Sequence, residues 1–405
     1  MSRSVVVVSL RAGDWLDPCL ESVRDQADQL VVVDNGSAGA EVTQVARRFG
    51  ATVVRSPDNQ GFAGGANQGI RGATGDVVAL LNDDAVADPS WLDAAEEALD
   101  DPSVAGVTPK VLLDGWYGQV IPSGEAWFAP SDARPLGRRL TSVRLAGVEL
   151  LERLVGPGVH RLESAVVDGR PDVWRWTRPG KPYFLPLPGP EPGAQVSVNG
   201  QEELTVTTVC RLVNNVGLFL RPDGYSGDRG LESPDDGRWD EPRETFGVSG
   251  TAMAVRSEVF ERVGLLAEPF FAYYEDTDWS WRARRQGLRL VYQPATSVSH
   301  RRSVTSGQTL GARVRILGER NRLLSLVRNA PRTVATDAVR RRILDGADHG
   351  IRRGMLTHLP WALATRRQLA HRSTVGPDEV WVRWAGSDSV WDDGPCASAG
   401  DGCSG

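Results

Sequence analysis

Val77-Val78-Ala79-Leu80-Leu81-Asn82-Asp83-Asp84 is an apolar run that ends in one amide and two carboxylates. The run is short and lacks the alternation of a half-exposed strand, so it predicts a strand over 76–81 buried on both faces. Its polar end then lies at a sheet edge. Hard oxygen ligands there suit Mg²⁺ or Mn²⁺ bridging a diphosphate. Asp84 is the expected direct metal ligand, and Asp83 is set to contact a ribose or sugar hydroxyl. The same residues also make a strand-to-turn signal with a helix cap.

Upstream, runs of this kind alternate with helical spacing. Residues 4–10 (Ser-Val-Val-Val-Val-Ser-Leu) read as a parallel strand, and 15–27 as a helix through Leu16, Leu20 and Val23. Leu30–Val33 forms a second strand that ends in Asp34-Asn35-Gly36-Ser37. A helix over 41–49 and a strand over 51–55 follow, then a Gly-rich segment and a helix. The strand over 76–81 comes next, and another helix begins after Pro89. Such alternation predicts a doubly wound α/β sheet with ligands at the C-terminal strand edges.

At that edge Asp34 is placed to accept a hydrogen bond from a base or ribose, although Asp-Asn-Gly-Ser is also a good turn. Asn59-Gln60-Gly61-Phe62-Ala63-Gly64-Gly65-Ala66-Asn67-Gln68-Gly69 is more specific. Its glycines are expected to expose backbone N–H groups before a helix, a phosphate neighbourhood. It matches neither a Walker A loop nor a Rossmann fingerprint. The competing reading is a flexible loop with a helix cap.

The pattern breaks near 115. Residues 115–207 are rich in Pro, Gly and Trp, with short alternating runs, and predict a β-rich insertion. Trp174, Trp176, Tyr183 and Phe184 either line a sugar-binding face or pack the small core of the insertion, and packing is favoured. Residues 208–255 are expected to return to the main sheet. They include a polar loop, 222–244, and the small residues of Phe246-Gly247-Val248-Ser249-Gly250-Thr251-Ala252-Met253, which permit a ligand to approach the backbone.

Three carboxylates then fall within four residues, in Phe270-Phe271-Ala272-Tyr273-Tyr274-Glu275-Asp276-Thr277-Asp278-Trp279. A carboxylate cluster among aromatics suits a general base. His300 follows the strand Leu290-Val291-Tyr292. A lone histidine is usually structural. Residues 313–372 hold fourteen arginines against four acids, with Leu356, Leu359, Trp361 and Leu363 interspersed. Such a stretch suits an anionic membrane surface or an ordinary solvated helical face.

Composition narrows the class. The net charge of −6 gives no case for nucleic-acid binding, and Lys110 and Lys181 are the only lysines. Four cysteines in 405 residues make no disulfide scaffold. Cys19 and Cys210 are expected as buried thiols, and Cys396 and Cys403 lie in a tail expected to be disordered. No signal peptide is read at the start, and the apolar runs are too short to span a bilayer. The expected location is cytoplasmic, at the inner membrane face if the basic stretch makes contact.

The motifs together resemble the inverting family 2 glycosyltransferases of the GT-A fold, in the rhamnosyltransferase and galactofuranosyltransferase-like branch. The resemblance rests on Val31–Ser37, on Asn59-x-Gly61-Phe62-Ala63-x-Gly65-x-Asn67-x-Gly69, and on Leu81–Asp84. It continues through Ser249–Met253, Phe271-x-Tyr273-Tyr274-Glu275-Asp276-x-Asp278, His300 and Arg320-Asn321-Arg322. It spans about 1–114 and 208–330. What it implies is a GT-A nucleotide-diphospho-sugar transferase fold, a Rossmann-like mixed sheet with a β-rich insertion and a helical C-terminal region.

By resemblance the nucleotide sugar is held by Asp34, Asn35, Asn59, Gly61, Gly65, Asn67, Asn82 and Asp83. Mg²⁺ or Mn²⁺ is held by Asp84 with His300. Asp276 is the general base, with Glu275 and Asp278 supporting it, and the acceptor meets Gly250, Thr251, Tyr274 and Trp279. The preferred donor is a dTDP-deoxysugar such as dTDP-rhamnose, and the acceptor is a hydroxyl of a glycan, a lipid-linked intermediate or a natural product. Peripheral membrane contact and a homo-oligomer are admitted, and nucleic acid is not.

The expected divisions are 1–114 (nucleotide-sugar half), 115–207 (insertion), 208–312 (acceptor and catalytic half), 313–385 (basic helical region) and 386–405 (disordered tail). Two departures from the family pattern stand out. Ala38-Gly39-Ala40 replaces an expected Asp, and Gly264-Leu265-Leu266-Ala267-Glu268 replaces Gly-Gly-Phe-Asp-Glu. The alternatives are a non-catalytic sugar-binding scaffold of the same fold and a sugar-1-phosphate nucleotidyltransferase. Ser9-Leu10-Arg11-Ala12-Gly13-Asp14 lacks the Gly-rich, basic loop expected of the latter.

Overall fold

The computed structural model describes residues 1–129, 132–167, 170–200, 202–301, 308–344, 346 and 348–386. The tail that holds Cys396 and Cys403 lies outside the described residues. Two compact units divide the chain. Among the described residues the first comprises 1–111, 215–229 and 239–386, and the second 112–214 and 230–238. The loop read as 222–244 is therefore split between them.

The first unit is built from β1 (Arg3–Ser9), α1 (Leu16–Val23), β2 (Gln29–Asp34), α2 (Glu41–Arg48), β3 (Thr52–Arg55), α3 (Gly61–Gly72), β4 (Val77–Asn82), β5 (Ala85–Ala87), α4 (Trp91–Leu99) and β6 (Val104–Leu113). Later come the strands Arg243–Glu244, Ala252–Arg256 and Arg289–His300, with α5 (Ser257–Val263) and α6 (Glu275–Arg285). Four helices follow: α7 (Gln308–Asn329), α8 (Arg332–Leu344), α9 (His349–Arg372) and α10 (Pro377–Trp384).

β3, β2, β1 and β4 are parallel neighbours, and Ala252–Arg256 joins β4 antiparallel. The sheet is thus mixed. Its centre is buried on both faces, which explains the unbroken valine runs. Val5, Val7, Val32 and Leu81 face α1, α2 and α4, while Val6, Val31, Val33 and Leu80 face α3, α5 and α6. The registers Ser9↔Asp34 and Val8↔Asn82 bring three strand ends to one edge.

One expectation is corrected here. The Gly-rich segment does not precede a helix; it is helix α3 itself, from Gly61 to Gly72. A Cβ on Gly65 would stand 2.6 Å from Val8 Cγ1, and one on Gly69 2.2 Å from Val6 Cγ1. These glycines let α3 lie close against β1.

The second unit consists of short antiparallel sheets around Leu140, Val143, Tyr183, Leu185, Val196 and Val206. Tyr183 and Phe184 are buried. Trp174 lies under the Arg139 guanidinium at 4.3 Å and donates to Glu163 Oε2 at 3.0 Å. Cys19 is buried as expected, whereas Cys210 is only half-buried.

Candidate active site

β4 stops at Asn82 and β5 starts at Ala85, so Asp83 and Asp84 form the tight link between them. β5 pairs antiparallel with the end of Arg289–His300, with His300 opposite Ala85. That register brings His300 Nε2 to 3.0 Å from Asp84 Oδ1 and 3.4 Å from Asn82 Nδ2. The Arg301 N–H donates to the Asp84 carbonyl at 3.0 Å and fixes the junction. Asp84 and His300 are both buried. Burial pushes the Asp83 carboxyl up to about 7, and a hydrogen bond with Ser9 pulls the other way.

One carboxylate and one imidazole do not close a coordination sphere. Among the described residues, no group of three or more His, Cys, Asp or Glu could hold a metal ion. Mg²⁺ and ions like it are commonly held by one or two protein groups plus water and substrate phosphates. The donor set therefore fits a divalent ion whose shell is completed by a diphosphate.

The second carboxylate group depends on a strained turn. Phe271 has φ 66° and ψ −63°, and Ala272 N–H donates to the Phe270 carbonyl at 2.8 Å, which makes a tight γ-turn. Tyr273 and Tyr274 also have φ of 70°. Left-handed backbone costs a residue with a side chain roughly 1–2 kcal/mol, so something must hold this turn. Asn321 of α7 does so: its Nδ2 donates to the carbonyls of Phe270, Ala272 and Tyr273 at 2.9, 2.8 and 2.7 Å. Arg320 donates to the carbonyls of Pro269 and Phe270. The Phe271 carbonyl in turn accepts from Ala63 N–H at 3.1 Å. Sequence reading matched Arg320-Asn321-Arg322 to the family but gave it no task; only the fold brings α7 to this turn.

α6 starts from Tyr274, its left-handed N-cap. Asp276, half-buried, accepts from the Gly250 N–H at Oδ2 (3.0 Å) and from the Thr277 N–H at Oδ1 (2.6 Å). Burial raises its pKa, and those two N–H groups oppose the rise. Glu275 is buried, and its Oε2 has no hydrogen-bond partner among the described residues. Burial, then the Asp276 charge, push its carboxyl well above the usual range.

The structure does not bring every candidate to this place. Asp278 is fully buried; its Oδ1 accepts from Asn329, and its Oδ2 meets Arg282 at 2.9 Å and Arg328 at 2.6 Å. Trp279 is fully buried against Phe260 and donates to the Gly264 carbonyl. Tyr274 is half-buried, and its hydroxyl bonds the Ser226 backbone at 3.2 Å. Asn67 ties α3 to Leu266 and Glu268.

At the other strand ends, Asp34 Oδ1 accepts from Ser37 N–H and Oδ2 from Thr43 Oγ1, each at 3.0 Å. Asn35 bonds Asn59, Gln60 N–H and the Gly61 carbonyl, and Asn59 accepts from Gly61 N–H. These side chains shape loops. Beside them lies a cleft of about 620 Å³, lined by Leu10–Gly13, Gly36–Gly39 and Glu41. That volume is typical of a small-molecule site. Residues 10–13 were not among the sequence candidates, although their place just after the first strand is the signal that points to them.

The turn at 249–251 links the two carboxylate groups. Asn82 N–H donates to the Thr251 carbonyl at 2.9 Å, and the next residue back, Gly250, donates to Asp276.

A mixed, partly doubly wound sheet with a carboxylate link after its central strand and a helical C-terminal region is the GT-A fold. Residues 4–142 of the 405 match the family model Glycosyl transferase family 2. A glucosyl-dolichyl phosphate glucuronosyltransferase of Haloferax volcanii is 27% identical over 156 residues, which is 36% of this chain and 50% of that protein. A low-salt glycan biosynthesis hexosyltransferase of the same organism is 32% identical over 76 residues, 19% of this chain and 25% of the other. The matches thus span half or less of the curated relatives' lengths. The crystal structure of GalNAc-T7 with UDP, GalNAc and Mn²⁺ aligns with TM-score 0.50 at 12% identity, covering 90% of this chain and 56% of that one. At that identity the likeness speaks to the fold alone.

Proposed function

We propose that the chain is an inverting, metal-dependent glycosyltransferase that moves a sugar from a nucleotide-diphosphate donor to an acceptor hydroxyl. The observation that carries this reading is the 249–251 turn, which bonds on one side to Asn82, beside Asp84 and His300, and on the other to Asp276. This arrangement supports reading Asp84 and His300 as the diphosphate side, and Asp276 as the proton side, of one site.

The chemistry needs both. The acceptor hydroxyl attacks the anomeric carbon from the face opposite the leaving group. The new C–O bond forms as the bond to the diphosphate breaks, and the hydroxyl proton passes to the Asp276 carboxylate. A hydroxyl is too weak an acid to ionise first, and a carboxylate with a raised pKa is the better base. A divalent ion at Asp84 and His300 would supply charge stabilisation for the departing diphosphate. The cleft at Leu10–Gly13 and Gly36–Gly39 is our choice for the nucleoside. A dTDP-deoxysugar such as dTDP-rhamnose is the preferred donor, on family resemblance. Among glycan, lipid-linked and natural-product acceptors, a lipid-linked one is favoured by the name of the dolichyl-phosphate relative.

The test is a thermal-shift panel of nucleotide-diphosphate sugars with Mn²⁺ and with chelator. Binding to the native state raises Tm through RT ln(1 + [L]/Kd). The expected result is a shift with one nucleotide that needs the metal and is lost in Asp84→Ala. An equal shift with and without chelator would remove the metal assignment, and no shift with any nucleotide would favour the scaffold reading.

A further inference from the structure

Helix α9 carries five arginines, three histidines and no acidic residue between His349 and Arg372. Its inner face is accounted for by the fold. Ile351, Met355 and Ala362 are buried with Leu323, Leu324 and Val327 of α7, and Leu359 and Trp361 pack against the same cluster. Trp361 stands edge-on to Phe270 at 5.7 Å and lies under the Arg328 guanidinium at 4.5 Å. Arg366 donates to the Val327 carbonyl at 2.7 Å. Arg320, Arg322 and Arg328 are buried too.

The outer face is different. Leu356 is 75% and Leu363 48% exposed, one heptad apart, with the exposed Arg352, Arg353 and Arg367 around them. Positions 352, 356, 363 and 367 follow helical spacing and form a single stripe. Exposed leucines alone would mean little. Here they are bracketed by positive charge along the stripe, and no carboxylate on the helix offsets it. Nucleic acid would meet the guanidinium groups but offers no apolar depth for two leucines. A bilayer rich in anionic phospholipid offers both, with phosphate at the surface and the acyl boundary just beneath.

We propose that this stripe docks α9 onto an anionic phospholipid surface, with Leu356 and Leu363 entering the headgroup–acyl boundary and Arg352, Arg353 and Arg367 on lipid phosphates. The inference goes beyond the reaction proposed above and does not depend on it. The test is co-sedimentation of the full chain with phosphatidylcholine vesicles and with vesicles containing phosphatidylglycerol, at low and high salt. Binding is expected only to the anionic vesicles and is expected to weaken as salt rises. Each arginine near such a surface contributes about five-fold in partitioning, so the triple variant Arg352→Ala, Arg353→Ala, Arg367→Ala should bind about a hundred-fold less. Leu356→Ser with Leu363→Ser should also weaken binding while the chain stays folded, because Leu356 is largely and Leu363 about half exposed. Equal binding to neutral vesicles, or variants that bind like the parent, would overturn the proposal. So would a self-association abolished by the leucine variant without any vesicle binding. The nucleotide-sugar thermal shift, measured on the same variants, should stay as in the parent, which separates failure of this surface from failure of the donor site.

Discussion

The start of α3 bonds the carbonyl of Phe271, in the turn that leads into α6, and the two helix starts treat their polar groups differently. At α3 the chain closes the helix itself: Gly61 N–H is taken by Asn59, Ala63 N–H by Phe271, and the glycines behind them press against β1. At α6 the first turn holds Glu275, Asp276 and Asp278, and Asp276 itself takes the Thr277 N–H while Glu275 Oε2 has no partner among the described residues. Asp278 points into an arginine pair and is closed off, whereas Asp276 is only half-buried. A glycine-rich helix start and an acidic helix start look equally chemical in a sequence. The difference between them is whether the fold has already supplied the partners.

If α6 is the reactive start, Asp276→Ala should show the largest effect of any single change. Removing a general base typically lowers the rate by about 10²–10⁴-fold. The nucleotide-sugar thermal shift should survive, since the residues assigned to the diphosphate are untouched. Transfer at the parental rate would erase the contrast between the two helix starts. Gly61→Ala is the matching change at α3, and its expected effect is on stability. Gly61 has φ 71°, and a Cβ there would stand 2.2 Å from the Phe271 carbonyl oxygen. The obstacle is backbone, and the backbone conformation is itself unfavourable for alanine, so the loss should be roughly 3 kcal/mol in denaturant unfolding. A loss within a few tenths of a kcal/mol would mean that the Phe271 turn yields easily and is not fixed against α3.

How far the sequence reaches follows from the same contrast. The parallel core was legible because β1, β2 and β4 are buried on both faces and leave unbroken apolar runs at regular spacing. Asp84 and His300 were legible as a pair only through family resemblance; the antiparallel register of β5 with Arg289–His300 that joins them has no local signal. Asn67 and Gly65 carried a motif that suggested ligand contact, but motif spacing records constraint without saying whether packing or chemistry imposed it. The role of Asn321 was out of reach for another reason. It rests on three carbonyls some fifty residues away, made convergent by a turn whose left-handed tyrosines nothing in the composition announces.

The smallest expected effect concerns Glu275, and it sharpens what an unclosed helix start means for stability. Its carboxyl is raised by burial and by Asp276, so the folded state holds that proton more tightly than the unfolded chain does. The stability contributed by the protonated form is therefore fully present below the unfolded value, near 4.5, and is lost as pH rises through the higher folded value. Glu275→Gln cannot ionise and should not lose it. The variant should match the parent near pH 4 and exceed it by roughly 1–2 kcal/mol at pH 8, the scale of one buried, unmatched polar group. The measurement is chemical denaturation of both proteins across that range. A difference independent of pH would mean that Glu275 is ionised and compensated in the folded state, so that the start of α6 would be as closed as that of α3.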